Sequence, residues 1–224
     1  MPEIRNGADL AGIRVMIVDD HDLFRTGLRN LLEEESVQVV GEAAAGAEAV
    51  RAVAELTPDV VVMDLNMPGM SGVEATRQIT SISPLTRVLV LTISDQDADV
   101  MDAILAGACG YLLKDASIQE LMAGIRAASV GESLVSPTIA AKVLQRVRAS
   151  SSSQREAETI QSELSDREIQ VLKLIANGKD NALIAGELHI SPKTVKNHIS
   201  NILMKLQIDN RIQAAVFAVR SGIV

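Results

Sequence analysis

Three carboxylates, one hydroxyl and one ammonium group each stand where a short apolar run of the chain ends. The residues are Asp19, Asp20, Asp64, Thr92 and Lys114. Clustered carboxylates suit Mg²⁺, a hard cation that keeps several of its waters. A carboxylate is also an ordinary nucleophile for phosphoryl transfer. If the fold brings these groups together, they predict a site for a divalent cation and a transferable phosphoryl group.

The apolar runs are typical of strands in a sheet that is covered on both faces. Five strands are predicted, over 13–18, 37–43, 60–63, 87–92 and 110–113. Helices are predicted over 22–34, 47–55, 72–82, 98–106 and 118–128. Five such β/α units with right-handed crossovers predict an α/β fold, a flavodoxin-like, doubly wound sheet of five parallel strands. The polar groups would then meet at the carboxyl edge of the sheet, where such folds bind ligands.

The C-terminal part of the chain predicts an all-α domain of four helices. A capping box, Ser165 with Glu168, opens the first helix. The second helix, 181–188, and the third, 193–206, are separated by a tight turn, which is the helix-turn-helix arrangement. The last helix is predicted over 211–220. We place the α/β domain at 11–131, a linker with a helix over 137–148 at 132–160, and the helical domain at 161–224.

The third of these helices has two different faces. Val195, Ile199, Ile202 and Leu206 recur at helical spacing and predict the buried face. Polar side chains occupy the outward face, namely Lys193, Lys196, Asn197, Ser200 and Asn201. In a major groove an outward lysine can bond guanine and an asparagine can bond adenine. A solvated surface is the usual meaning of such a face on an isolated helix, so the tight turn before it strengthens the DNA-binding interpretation.

The charge is distributed unevenly along the chain. The formal net charge is −8. Residues 1–131 carry 9 Lys/Arg and 20 Asp/Glu, a net of −11, whereas residues 132–224 carry 12 and 9, a net of +3. Binding to nucleic acid is therefore expected of the C-terminal part only. Only three aromatic rings are present, which disfavours a single-strand binder that stacks bases.

The α/β part resembles the receiver domain of two-component response regulators, and the helical part resembles the LuxR-type helix-turn-helix domain. Together they resemble the NarL/FixJ family of transcription factors over nearly the whole chain. The resemblance implies that Asp64 accepts the phosphoryl group. It implies a Mg²⁺ ion bound directly by Asp20, through water by Asp19, and by the backbone carbonyl of Asn66.

The resemblance also assigns roles to the remaining groups of this edge. Lys114 and Thr92 would contact phosphoryl oxygens. Thr92 would move on phosphorylation while Tyr111 turns inward, so these two residues would form the switch. His21 follows the acid pair and is interpreted as a surface group without a catalytic role.

For the helical part, the resemblance implies a DNA interface on the third helix. Lys196 and Asn197 are the best candidates for base contacts, with Ser200 and Asn201 beside them, while Lys193 and Thr194 would contact phosphates. The last helix would form a dimer contact, so a homodimer of the phosphorylated protein would recognise an inverted repeat. The expected partners are a histidine kinase, double-stranded DNA and RNA polymerase, in the cytoplasm and without a membrane.

Two alternatives to a phosphorylation-dependent transcription factor stay open. One is a DNA-binding regulator that uses the receiver only as a dimerisation scaffold, which the intact acid site disfavours. The other is an aspartate-dependent phosphatase. That class usually places a second acid two residues after the nucleophile, and here this position is Asn66. Turnover of external phosphate esters is therefore not expected, and we predict that the protein is not an enzyme.

Overall fold

The computed structural model describes residues 10, 12–94, 96–133 and 164–224. These residues form two compact units, each with its own apolar core. The predicted linker helix at 137–148 lies outside the described residues. Within the described parts of the chain, no helix is both long and apolar enough to cross a lipid bilayer.

The first unit is a sheet of five parallel strands between two layers of helices. The strand order is β2-β1-β3-β4-β5, which confirms the predicted flavodoxin-like fold. The strands are β1 (Arg14–Val18), β2 (Gln38–Ala43), β3 (Val60–Met63), β4 (Arg87–Thr92) and β5 (Gly110–Leu113). The helices are α1 (Asp22–Glu34), α2 (Gly46–Leu56), α3 (Gly72–Ile82), α4 (Asp97–Leu105) and α5 (Ile118–Ser129). Each observed end lies within one residue of the prediction.

Both faces of the sheet are buried because alternate side chains of one strand point to opposite helix layers. In β1, Val15 and Ile17 belong to the core beneath α1 and α5, whereas Met16 and Val18 belong to the core beneath α2 and α3. The apolar runs of the sequence are therefore continuous rather than alternating.

The register of the strands decides which polar groups become neighbours. Val18 is paired with Met63, so the residues that follow them, Asp19 and Asp64, leave the sheet side by side. Thr92 is paired with Leu113, directly before Lys114. Because neighbouring parallel strands lie about 4.8 Å apart, this register gathers the side chains at one edge.

The second unit consists of four helices around one core. They are α6 (Asp166–Ala176), α7 (Asn181–Leu188), α8 (Pro192–Leu206) and α9 (Arg211–Arg220). Each begins at a side chain that accepts a hydrogen bond from the first turn, and α6 has the predicted capping box. The predicted inner face of α8 is buried, including Val195 and Ile202 with no exposed surface.

Candidate functional site

Asp64 stands at the end of β3 with its side chain directed into the carboxyl edge of the sheet. The residue is 2% exposed, and its backbone N–H donates to the Val18 carbonyl at 2.8 Å. The first residue of α3, Gly72, packs against the backbone of Asp64 and Leu65. A Cβ built on Gly72 would lie 2.0 Å from the Asp64 carbonyl oxygen, so only glycine fits there. The backbone that carries the acceptor candidate is thus enclosed by a strand and a helix.

Lys114 joins two of the carboxylates. Its Nζ lies 2.8 Å from Asp64 Oδ2 and 2.7 Å from Asp19 Oδ2, and 4.5 Å from the centre of the Phe24 ring. Burial alone would lower the pKa of Lys114. The hydrogen bonds that Lys114 donates to Asp19 and Asp64, and the charges of these carboxylates, outweigh burial and hold the pKa of Lys114 above its ordinary value. Lys114 therefore stays a cation at the centre of the acid edge.

The acid pair after β1 supplies two further carboxylates. Asp19 is 2% exposed and accepts the His21 N–H at 2.9 Å. Asp20 Oδ1 is buried without a hydrogen-bond partner, although His21 Nδ1 lies 3.0 Å away. His21 is largely exposed, as expected, but its ring contacts both acids. Ligand atoms of these three residues and Asp64 lie within 4.8 Å of one another, so the donor set fits a divalent cation.

Thr92 and Tyr111 lie on the other side of Asp64. Thr92 is fully buried, and its Oγ1 is 3.5 Å from Asn66 Nδ2. Tyr111 is also fully buried, and its hydroxyl donates to the Ser94 carbonyl at 2.9 Å. The structure thus places Tyr111 inside the unit and connects both predicted switch residues to the segment that follows β4.

Ser94 is a residue of this edge that the sequence analysis did not single out. Its N–H donates to Thr92 Oγ1 at 3.4 Å, and its hydroxyl donates to Asp99 on α4. Together with the bond from Tyr111, these contacts connect Thr92 to α4 through one residue. A serine two positions after a strand is typical of an ordinary loop, so the sequence carries no signal for this role.

The outward face of α8 carries the residues expected to meet DNA. Lys193, Lys196, Asn197, Ser200 and Asn201 are all exposed, while Thr194 is half-buried. Thr194 donates its N–H to Ser191 Oγ at 3.0 Å, in the N-terminal cap of the helix. The structure places five of the six candidates on one solvent-facing surface and the sixth at its beginning.

Two polar contacts fasten the helices behind this surface. Glu168 of the capping box is buried and accepts from Lys205 Nζ on α8 at 2.8 Å. Arg211 donates to Asn181 Oδ1 on α7 at 2.7 Å. The capping box was predicted, whereas the bond to Lys205 depends on residues 37 positions apart in the sequence.

A receiver-like sheet with an acid edge, followed by a helix-turn-helix unit, is the two-part architecture of a DNA-binding response regulator. Residues 15–126 match the response regulator receiver domain family, and residues 162–218 match the LuxR family of bacterial regulatory proteins. The chain therefore belongs to the two-component response regulators of the NarL/FixJ type, which are regulators of transcription.

Known proteins match over the whole architecture. The transcriptional regulatory protein LiaR of Bacillus subtilis is 46% identical over 213 residues, 95% of this chain and 99% of LiaR. The structure of ChrA, the response regulator of a heme-sensing two-component system, is 36% identical, with a TM-score of 0.52, and covers 95% of this chain and 98% of ChrA. A structure of two RcsB dimers bound to two parallel DNAs is 26% identical, with a TM-score of 0.54, over 95% of this chain and 99% of RcsB.

Proposed function

We propose that a partner histidine kinase phosphorylates Asp64 and that this modification promotes dimerisation and sequence-specific binding to promoters. The observation that carries the proposal is the contact between the buried Asp64 carboxylate and the Lys114 ammonium, beside Asp19 and Thr92. A carboxylate oxygen of Asp64 would form a bond to phosphorus as the phosphorus–nitrogen bond of a phosphohistidine breaks. Positioning and neutralisation of charge dominate such transfers.

Each polar residue at the carboxyl edge of the sheet would have its own role in the transfer. Lys114 is already charged and lies at the acceptor, so it would pair with a phosphoryl oxygen once the carboxylate is phosphorylated. Thr92 would donate its hydroxyl to a second oxygen. Asp19, Asp20 and Asp64, with the Asn66 backbone carbonyl, would hold Mg²⁺. The bound cation would screen the repulsion between the acceptor carboxylate and the incoming phosphate. The buried Asp20 Oδ1, which accepts no hydrogen bond, supports this assignment.

The switch would pass through the segment after β4. A phosphoryl group adds charge and acceptor oxygens, and these would attract the Thr92 hydroxyl. Ser94, which donates to Thr92 and accepts from Tyr111, would move with it. The surface around α4 and β5 would then change and favour the dimer.

On DNA, α8 would enter the major groove with Lys196 and Asn197 at base edges and Ser200 and Asn201 beside them. Lys193 and Thr194, at the first turn, would contact phosphates, which the positive end of the helix dipole favours. A two-fold dimer formed through α9 would match an inverted repeat, and RNA polymerase would be the next partner at the promoter. Ile212 and Val216 of α9 are buried, so the contact would use residues of this helix that are less buried.

The test compares the natural chain with Asp64→Asn and with Asp115→Asn, an exposed acid next to Lys114 that serves as the control. Acetyl phosphate with Mg²⁺ is expected to label the natural chain and the control but not Asp64→Asn. Intact-mass measurement of the added phosphoryl group gives the result. Normal labelling of Asp64→Asn would contradict the acceptor assignment.

The same three proteins, with and without acetyl phosphate, are then used to select fragments of genomic DNA. We expect an inverted repeat to be enriched only by the phosphorylated natural chain and by the phosphorylated Asp115→Asn control. Equal enrichment without phosphate would favour the alternative function, a DNA-binding regulator whose receiver is a dimerisation scaffold. Failure to enrich any sequence would contradict the assignment of α8.

A further inference from the structure

Arg25, on α1, reaches back to the loop that carries the acid pair. Its Nη1 donates to the backbone carbonyl of Asp19 at 2.7 Å. That carbonyl belongs to the peptide group that joins Asp19 to Asp20. The Arg25 side chain is 13% exposed, so the bond is largely shielded from water. A charged donor thus holds the peptide plane between the two acids.

Arg25 is itself fixed by two other bonds. Its Nε donates to Glu42 Oε2 at 3.0 Å, and its Nη2 donates to Asp22 Oδ1 at 2.5 Å. Glu42 lies on β2, where it is paired with Ile17 of β1. Because a guanidinium is planar and its donors have a fixed geometry, the three bonds together define the position of the β1–α1 loop against α1 and β2.

The orientation of this peptide matters because it sets the directions of two side chains at once. Asp19 is held further by Lys114 and by the His21 N–H, whereas the buried Asp20 Oδ1 has no hydrogen bond. Apart from the exposed His21 ring, whose Nδ1 lies 3.0 Å from Asp20 Oδ1, the direction of Asp20 is set by the backbone. We infer that Arg25 is a positioning residue for the divalent-cation site, which keeps the Asp19–Asp20 peptide oriented so that both carboxylates face the site before a cation binds. This inference rests on the proposed function.

The charge of Arg25 and its positioning role have opposite effects on cation binding. Coulomb's law alone predicts that removing a positive charge near the carboxylates strengthens the binding of Mg²⁺. Loss of the hydrogen bond that orients the Asp19–Asp20 peptide predicts weaker binding of Mg²⁺ instead. Groups that orient metal ligands typically change metal affinity by roughly 10–100-fold when they are removed. The direction of the change therefore separates the two effects.

The experiment measures the Mg²⁺ dissociation constant of the full chain by titration calorimetry. It compares the natural chain with Arg25→Ala and with Arg29→Ala. Arg29 is the matched control because it lies one turn further along α1 and pairs with the same Glu42. Among the described residues, the carboxylates of Glu42 and Glu33 are the contacts of Arg29, and the Asp19 carbonyl is not one of them. We expect Arg25→Ala to bind Mg²⁺ at least about tenfold more weakly and Arg29→Ala to bind it nearly as the natural chain does.

Arg25→Lys keeps the charge and one donor nitrogen but loses the rigid fork, so it is expected to recover part of the affinity. It also serves as the test variant if Arg25→Ala does not fold. A second measurement, by NMR, needs no cation. The amide N–H of Asp20 belongs to the peptide group whose carbonyl accepts from Arg25. Its NMR resonance is expected to shift in Arg25→Ala and to stay in place in Arg29→Ala.

Equal or tighter Mg²⁺ binding by a folded Arg25 variant would overturn the inference while leaving the cation site intact. An equal loss in the Arg29 control would also overturn it, because the effect would then come from the shared Glu42 or from charge. Absence of Mg²⁺ binding by the natural chain would overturn the cation site itself and the inference with it.

Discussion

Lys114 and Asp64 each make the burial of the other possible. An isolated buried carboxylate or ammonium group is costly because it loses its hydration. Here the ammonium contacts both Asp64 and Asp19, and the Phe24 ring covers another side of it. The contact places a carboxylate and an ammonium group side by side at the edge of the sheet, where a phosphoryl group would need a nucleophile and a counter-charge.

A prediction at the scale of single residues concerns Glu168 and the dependence of stability on pH. Burial alone would raise the pKa of Glu168, but the bonds from Lys205 and Ser165 outweigh burial and lower it. A lowered pKa in the folded state contributes stability that is complete above the ordinary carboxyl value of about 4.3. This contribution is lost as the pH falls through the lowered value.

We therefore expect the contribution of Glu168 to the unfolding free energy of the helical unit to decrease as the pH falls below about 4.3. Urea unfolding of the full chain, followed by NMR signals of α6 to α9, measures it. Glu168→Gln should be less stable at neutral pH and should flatten this dependence. Asp166→Asn, an exposed acid on the same helix, should leave the dependence unchanged. An identical pH profile for Glu168→Gln would contradict the role of this carboxylate.

Residue types at strand ends predicted which side chains would meet, because parallel strands share one carboxyl edge. The supporting residues could not be predicted in this way. Arg25 follows Asp22 at a spacing that indicates an ordinary surface ion pair on a helix. Its bonds to the Asp19 carbonyl and to Glu42 depend on how α1 lies against β1 and β2. No local pattern encodes that orientation.

At the scale of elements, the ends of strands and helices were predicted to within one residue because their signals are local. Serine caps, proline at a first turn and continuous apolar runs each act over a few positions. Close approach between elements is different. The predicted start of α3 at Gly72 was correct, but the contact that requires glycine is with the backbone of Asp64, eight positions earlier.

Gly72→Ala is expected to destabilise the first unit by roughly 1–3 kcal/mol, the usual cost of overpacking. The added methyl group would meet backbone atoms of Asp64 and Leu65, which have no free end to move. Gly27→Ala is the control, since a Cβ there meets nothing within 4 Å in the middle of α1. Gly27→Ala should stabilise the first unit by roughly 0.5–1 kcal/mol, because alanine favours a helix interior more than glycine does. Urea unfolding measures both, and equal stability of the two variants would contradict the close contact.

At the scale of the whole molecule, the two units carry opposite charge balances, and each has its own core. The acidic unit is unsuited to DNA, so affinity for DNA would come from the helical unit and would depend strongly on salt. Composition predicted this division. The sequence contains no comparable signal for the operator or for the kinase, because both depend on surfaces of other molecules.

The surface of α8 gives the corresponding prediction. Lys193→Ala should weaken binding to all DNA sequences and reduce the slope of log affinity against log salt by about one. Asn197→Ala should instead reduce the preference for the selected operator by roughly 1–3 kcal/mol. Lys173→Ala, which removes the same charge from an exposed position on α6, is the control. Fluorescence anisotropy with labelled operator and unrelated DNA separates these outcomes, and equal effects of Lys193→Ala and Lys173→Ala would contradict the interface.

The protein carries its own optical reporter. It contains one tyrosine and no tryptophan, so its ultraviolet-excited emission comes essentially from Tyr111. The Tyr111 hydroxyl is bonded to the Ser94 carbonyl in a fully buried position. Any rearrangement of the segment after β4 changes the surroundings of this single ring. The native chain therefore allows the state of its receiver to be followed in solution without a dye, a label or a substitution.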